Sequence, residues 1–113
     1  MCSILDYGYR RYMVLRNWRN VVKKLKKVVN EVIGDARVYV FGSILSNKFT
    51  AASDIDVLVV SPDIPQNRDD RIRLQLLIED KLNLDPNPIE LHLVTPEESE
   101  WYFKNLRIKY IEI

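Results

Sequence analysis

Residues 38–60 read Val38-Tyr-Val-Phe-Gly-Ser-Ile-Leu-Ser-Asn-Lys-Phe-Thr-Ala-Ala-Ser-Asp-Ile-Asp-Val-Leu-Val-Val60, and their punctuation decides the fold. A run rich in Val and Tyr ends at Phe41, which predicts a strand. Gly42-Ser43 turns the chain into one short helical turn, and Ser53-Asp54-Ile55-Asp56 then leads into a second apolar run. Carboxylates two residues apart on a strand project from the same face. Two such groups repel unless a cation or a base intervenes. Asp54 and Asp56 are therefore candidate ligands of a divalent cation, the kind that holds a nucleoside triphosphate. The turn at Gly42-Ser43 offers free backbone N–H groups suited to a phosphate.

Upstream, residues 4–33 predict one long helix. Val14, Leu15, Trp18, Val21, Val22, Leu25, Val28, Val29, Val32 and Ile33 recur at three- and four-residue steps, and Gly34 stands where a left-handed terminating residue belongs. Downstream, Ile55–Val60 is nearly all apolar and predicts a buried strand, closed by Ser61-Pro62-Asp63-Ile64-Pro65. Asn67 is placed to cap a helix over 68–82, with Asp69 and Asp70 in its first turn and Ile72, Leu74, Leu76, Leu77, Ile78 and Leu82 on its apolar side.

Residues 89–94 alternate cleanly: Ile89, Leu91 and Leu93 share one face, Glu90 and His92 the other. Thr95, Pro96 and Glu98 form a capping box for a last helix, packed down by Trp101, Tyr102 and Leu106. The tail 108–113 suits either a helical turn or an added strand. The order is α-β-(short α)-β-α-β-α, an α/β (α+β) fold with a small mixed three-stranded sheet flanked by helices. In it the first two strands pair antiparallel. The third, reached through a helical crossover, lies parallel to the second and brings Glu90 beside the aspartates as a third carboxylate. Such a set suits two-metal phosphoryl transfer.

The chain of 113 residues reads as one domain spanning 1–113, with 47% apolar and 29% charged residues, a balance that excludes a disordered chain. Charges interrupt every apolar run, so no membrane span is expected. The start lacks the apolar core of a signal peptide, so a cytoplasmic location is expected. Cys2 is the sole cysteine, in a terminus expected to fray, which excludes an internal disulfide and argues against a cysteine metal site. The net charge of +1 conceals a division: residues 1–40 carry nine Lys/Arg against three Asp/Glu, and residues 41–113 eight against thirteen. The halves are suited to different partners, to each other, or to a second protomer in a homo-oligomer. Arg16, Arg19, Lys23, Lys24, Lys26 and Lys27 read as a solvated helix face rather than a nucleic-acid patch, since no aromatic residue interleaves the lysines.

The Gly42-Ser43 turn, Ser53-Asp54-x-Asp56 and an acid on the next long strand resemble the minimal nucleotidyltransferase family of the DNA polymerase beta superfamily. The resemblance implies the polymerase-beta-type nucleotidyltransferase fold, dependence on Mg²⁺ at a two-metal site, and transfer of a nucleoside monophosphate from an NTP, commonly AMP from ATP. It implies that Gly42 and Ser43 hold the triphosphate and that Asp54, Asp56 and Glu90 hold the metals. Members often pair with a helical HEPN-type toxin as an antitoxin that places AMP on a toxin tyrosine. This chain departs from the pattern twice, with Asn47 where a second glycine is usual and Glu90 where aspartate is usual. Asparagine tolerates a left-handed backbone, and Glu90 is one methylene longer.

Other residues near the motif have plainer readings beside functional ones. Ser53 and Lys48 complete the candidate triphosphate-binding set, yet Ser53 also suits a turn hydroxyl and Lys48 a solvated loop lysine. His92 shares the face of Glu90 and suits either a nucleotide contact or a half-buried imidazole. Trp18 and Trp101 suit the core or an interface. Two readings of different class stay open: a transferase, and a catalytically weak or inactive nucleotide-binding module that neutralises a partner by contact.

Overall fold

Three segments rich in β-branched residues are strands in the computed structural model, which describes residues 4–105 and 109–113. They are β1 (Arg37–Phe41), β2 (Ile55–Val60) and β3 (Ile89–Val94). The helices are α1 (Ile4–Arg16), α2 (Trp18–Val32), α3 (Arg68–Leu82) and α4 (Pro96–Asn105), and a short 3-10 turn covers Ser43–Ser46. A further strand, β4 (Tyr110–Glu112), pairs antiparallel with β1, so the sheet has four strands in the order β3-β2-β1-β4 instead of the three expected. The Ile113 amide donates to the Val38 carbonyl at 2.9 Å, and Lys26 Nζ donates to the Ile113 carbonyl at 2.6 Å. These long-range bonds settle the ambiguous tail as strand; Cys2, Leu106 and Ile108 lie outside the described residues.

The sheet is covered on both faces because its strands alternate. Val38, Val40, Val57, Val59, Leu91 and Leu93 share one core with Leu15, Trp18, Val22, Leu25 and Val29 and with Ile78 and Leu82 of α3. Tyr39, Phe41, Leu58, Val60 and Val94 point the other way, onto Tyr102 and Phe103 of α4. The first two strands pair antiparallel and β3 runs parallel to β2, as the crossover rule requires.

Two helical expectations are corrected. The single helix over 4–33 is two, divided at Asn17, whose ψ of 23° leaves the helical range. Asparagine side chains compete with helical backbone bonds. Here Asn17 Oδ1 accepts from Asn20 Nδ2 at 2.8 Å, and Trp18 and Leu15 still reach the core from either side of the break. On α3, only Ile78 and Leu82 are fully buried, while Ile72, Leu76 and Leu77 are exposed, Leu76 by 59%. Trp101, expected to pack α4 down, is likewise 53% exposed; Tyr102 and Phe103 do that packing.

The caps formed as the sequence predicts. Asn67 Oδ1 accepts from the Asp69 and Asp70 amides at 2.8 and 3.2 Å. Thr95 and Glu98 exchange bonds at 3.0 and 3.3 Å, and Gly34 is left-handed with φ 95°. Among the described residues, no helix is long and apolar enough to cross a membrane.

Candidate active site

The site is built at one end of β1, β2 and β3. Strand register puts Phe41 opposite Asp56, and Asp56 opposite Glu90. Immediately after Phe41 the chain enters Gly42 at φ 88°, ψ −163°, a region open essentially to glycine alone. A side chain there would also collide with Asp56 Oδ2. Gly42 is thus required for its backbone angles and for the space it leaves the carboxylate.

The 3-10 turn follows, closed by Leu45 N–H donating to the Gly42 carbonyl at 3.2 Å, and it ends at Asn47 with φ 60°, ψ 10°. The left-handed turn survives the absence of the second glycine. Gly42, Ser43 and Lys48 are all exposed around it. Ser53 closes the next loop: its Oγ accepts from the Thr50 amide at 3.0 Å and its own amide donates to the Thr50 carbonyl at 3.0 Å. The turn-hydroxyl reading of Ser53 is the one this geometry occupies.

Asp56, Glu90 and His92 offer donor atoms that lie within 4.8 Å of one another. Asp56 is half-buried, and that burial, followed by its hydrogen bond to Glu90 and the charges of Glu90 and Asp54, pushes its carboxyl from 3.8 up to about 6. Burial first, and then the neighbouring carboxylates, disfavour the charged form of Asp56. A divalent cation fits this donor set, and its charge would offset the repulsion.

Asp54 does not join this cluster. Its Oδ1 accepts from Arg11 Nη2 at 2.6 Å, while Arg11 Nη1 donates to the carbonyls of Ala51, at 2.5 Å, and Ser53. One guanidinium from α1 therefore holds the loop 51–54 by three acceptors, and its side chain is only 14% exposed. Sequence reasoning missed Arg11, and no local signal marks it: its partners lie forty or more residues away.

On the other side of Glu90, His92 Nε2 lies 3.7 Å from Glu90 Oε1, and Nδ1 lies 3.5 Å from the Tyr102 hydroxyl. Burial lowers the imidazole pKa, opposed in part by the Glu90 charge, which favours a neutral ring. Phe41 and Tyr102 flank that ring at 5.6 and 5.8 Å between centroids. Beyond it opens a cavity of about 350 Å³ lined by Arg71, His92, Leu93, Val94, Glu98, Trp101 and Tyr102. Arg71 is tied down there, donating to Glu98 at 3.0 Å and to the Leu93 carbonyl at 3.2 Å.

A glycine turn and an in-register Asp–Glu pair thus lie together at one end of the sheet, with a second aspartate two residues upstream. A family model described as a nucleotidyltransferase domain matches residues 22–113. The chain belongs to the nucleotidyltransferase domain family. No curated relative and no solved structure matches it. The match begins within α2, so α1 and its Arg11 lie outside the matched region.

Proposed function

We propose that this domain transfers AMP from ATP, in a reaction dependent on Mg²⁺, to a hydroxyl acceptor, and that the acceptor is a tyrosine of a HEPN-type helical partner for which the chain is the antitoxin. The observation that carries the transferase reading is the position of Asp56, in register with Glu90 and in contact distance of Gly42. The family membership of the chain supports the reaction class. The resemblance to minimal nucleotidyltransferases supports the ATP and partner assignments.

In this reading Asp54, Asp56 and Glu90 hold the divalent cations, and Gly42, Ser43 and the exposed Lys48 receive the triphosphate. When bound, the cations neutralise triphosphate charge and lower the barrier to attack. The acceptor oxygen bonds to the α-phosphorus, the α–β anhydride bond breaks, pyrophosphate leaves and the hydroxyl proton passes to solvent. The residues of the chain align the reactants. Gly42 leaves room for the Asp56 carboxylate, Asn47 keeps the turn, and Arg11 holds the Asp54 loop in place. Both departures from the usual pattern are accommodated. Asn47 takes the left-handed angles, and Glu90 lies opposite Asp56 in the strand register with a carboxylate oxygen within 4.8 Å of the Asp56 carboxylate.

A second reading, a partner-neutralising module without catalysis, is favoured by one observation: Asp54 is engaged by Arg11 and stands apart from the Asp56–Glu90–His92 cluster. Incubation with α-labelled ATP, Mg²⁺ and a candidate helical partner separates the two. Labelled partner with wild type and none with Asp54→Asn or Asp56→Asn supports transfer. Equal labelling by wild type and variants contradicts it. Neutralisation undiminished in unlabelling variants selects the second reading.

A further inference from the structure

On β3, Glu90 and His92 are two residues apart and share one face of the sheet. The ring nitrogen of His92 nearest the carboxylates is not consumed by them. Nε2 stands 3.7 Å from Glu90 Oε1, beyond hydrogen-bonding range. The opposite nitrogen faces the Tyr102 hydroxyl at 3.5 Å, and Phe41 and Tyr102 hold the ring from two sides. A histidine whose far nitrogen has a polar neighbour and whose near nitrogen points among carboxylates has the layout of a metal ligand with its supporting shell. Asp56, Glu90 and His92 have donor atoms within 4.8 Å of one another, a small closing motion from a shared coordination sphere with bonds of ~2.1 Å. Glu90 is exposed, so an ion has a path in from solvent.

We propose that His92 is itself a metal ligand, and that with Asp56 and Glu90 it forms a mixed nitrogen–oxygen position that favours first-row transition-metal cations over Mg²⁺, with Mn²⁺ serving as the paramagnetic probe. The proposal rests on the reading of these carboxylates as cation-binding and deepens it by naming the class of ion. Mg²⁺ prefers oxygen donors and a near-ideal octahedron, whereas imidazole suits the later divalent ions. Asp54 with Asp56 offers oxygen only and remains suited to Mg²⁺, so the two positions differ in chemistry.

The chain has one histidine, which makes the test direct. Untagged protein loaded with Mn²⁺ is examined by pulsed electron paramagnetic resonance for the ¹⁴N coupling of a directly bound imidazole. Calorimetry of the same metal-free protein gives the Mn²⁺ and Mg²⁺ affinities. Wild type is expected to show the nitrogen coupling. His92→Gln is expected to lose it and to narrow the Mn²⁺-to-Mg²⁺ affinity ratio about tenfold, within the range seen when a metal site loses a supporting group.

Bound Mn²⁺ without nitrogen coupling in wild type overturns the proposal while leaving the transferase reading intact. So does an unchanged affinity ratio in a folded His92→Gln. Failure of both cations to bind wild type overturns both readings. Nitrogen coupling in a protein that transfers no nucleotide supports the proposal and removes the transferase reading alone. Should His92→Gln not fold, the wild-type spectrum decides by itself.

Discussion

The two halves of the carboxylate site are held by different means. Asp56 and Glu90 are placed by strand register, inside the region that matches the nucleotidyltransferase family. Asp54 sits on a loop held by Arg11, which α1 supplies from outside that region. Register is a property of the whole sheet and resists local change, because a slip of one residue would turn every side chain to the wrong face. A tie through one guanidinium depends on a single side chain. The Asp56–Glu90 pair is therefore fixed by the sheet and Asp54 by a single side chain, and each breaks under a different substitution.

The largest effect is expected where the rigid half meets the turn. Gly42→Ala places a methyl against Asp56 Oδ2 and forces a backbone region closed to alanine. A loss of about 1–3 kcal/mol in stability is expected by chemical denaturation. Nucleotide transfer should fall on the order of 10²-fold, since displacing the carboxylate by an ångström suffices for that. Transfer and stability both unchanged would show that Gly42 does not set the position of Asp56.

Next comes the adjustable half. Arg11→Met removes three hydrogen bonds at once and frees the loop 51–54. Cation affinity is expected to fall about tenfold in calorimetry, with the fold retained by circular dichroism. Arg11→Lys should recover little, because an ammonium cannot reproduce the planar fork. Full recovery by lysine would mean that charge alone, and not the geometry of the tie, matters at Asp54.

A smaller, pH-dependent effect belongs to the register-built pair. The Asp56 carboxyl is raised from 3.8 to about 6, chiefly by burial and then by Glu90, so the folded chain binds this proton more tightly than the unfolded chain. Its contribution to stability is fully present below the unfolded value of 3.8 and is lost as the pH rises through about 6. Divalent cation binds the ionised form, so the increase in Tm on adding it should be larger at pH 7.5 than at pH 5. An increase equal at both pH values would separate cation binding from Asp56. The smallest effect is expected at Asn47→Gly, which relieves a left-handed asparagine at φ 60° and should alter stability by less than ~1 kcal/mol in thermal melts.

Much of this architecture was legible in the pattern of residues. Alternation along 89–94 and the apolar run 55–60 named both strands, and the crossover rule brought Glu90 beside Asp56. Asn67, Thr95 and Glu98 cap as their types and spacing demand, because capping is a local exchange of hydrogen bonds. What escaped depends on partners distant in sequence. The Lys109–Ile113 tail is too short for its periodicity to choose, and becomes strand because β1 offers a free edge. Ile72, Leu76 and Leu77 follow a helical stripe wider than the surface that α3 covers, so they stay exposed. Periodicity reports that a face is apolar and not whether something packs on it. Asn17 divides a stripe that continues without interruption on either side. Arg11 had no spacing to announce it, whereas His92 had one: it stands two residues from Glu90 on the same strand face.

The proposed transferase activity requires the Asp56–Glu90 pair to bind a cation that holds a nucleoside triphosphate. Calorimetric titration of metal-free protein with Mg²⁺ or Mn²⁺, in the presence of a non-hydrolysable ATP analogue, tests it in wild type and in Asp56→Asn. Saturable, cation-dependent binding of the analogue by wild type, weakened by a factor on the order of 10² or more in Asp56→Asn, is the expected result. Binding of the analogue that is indifferent to cation, or equal in the two proteins, would contradict it.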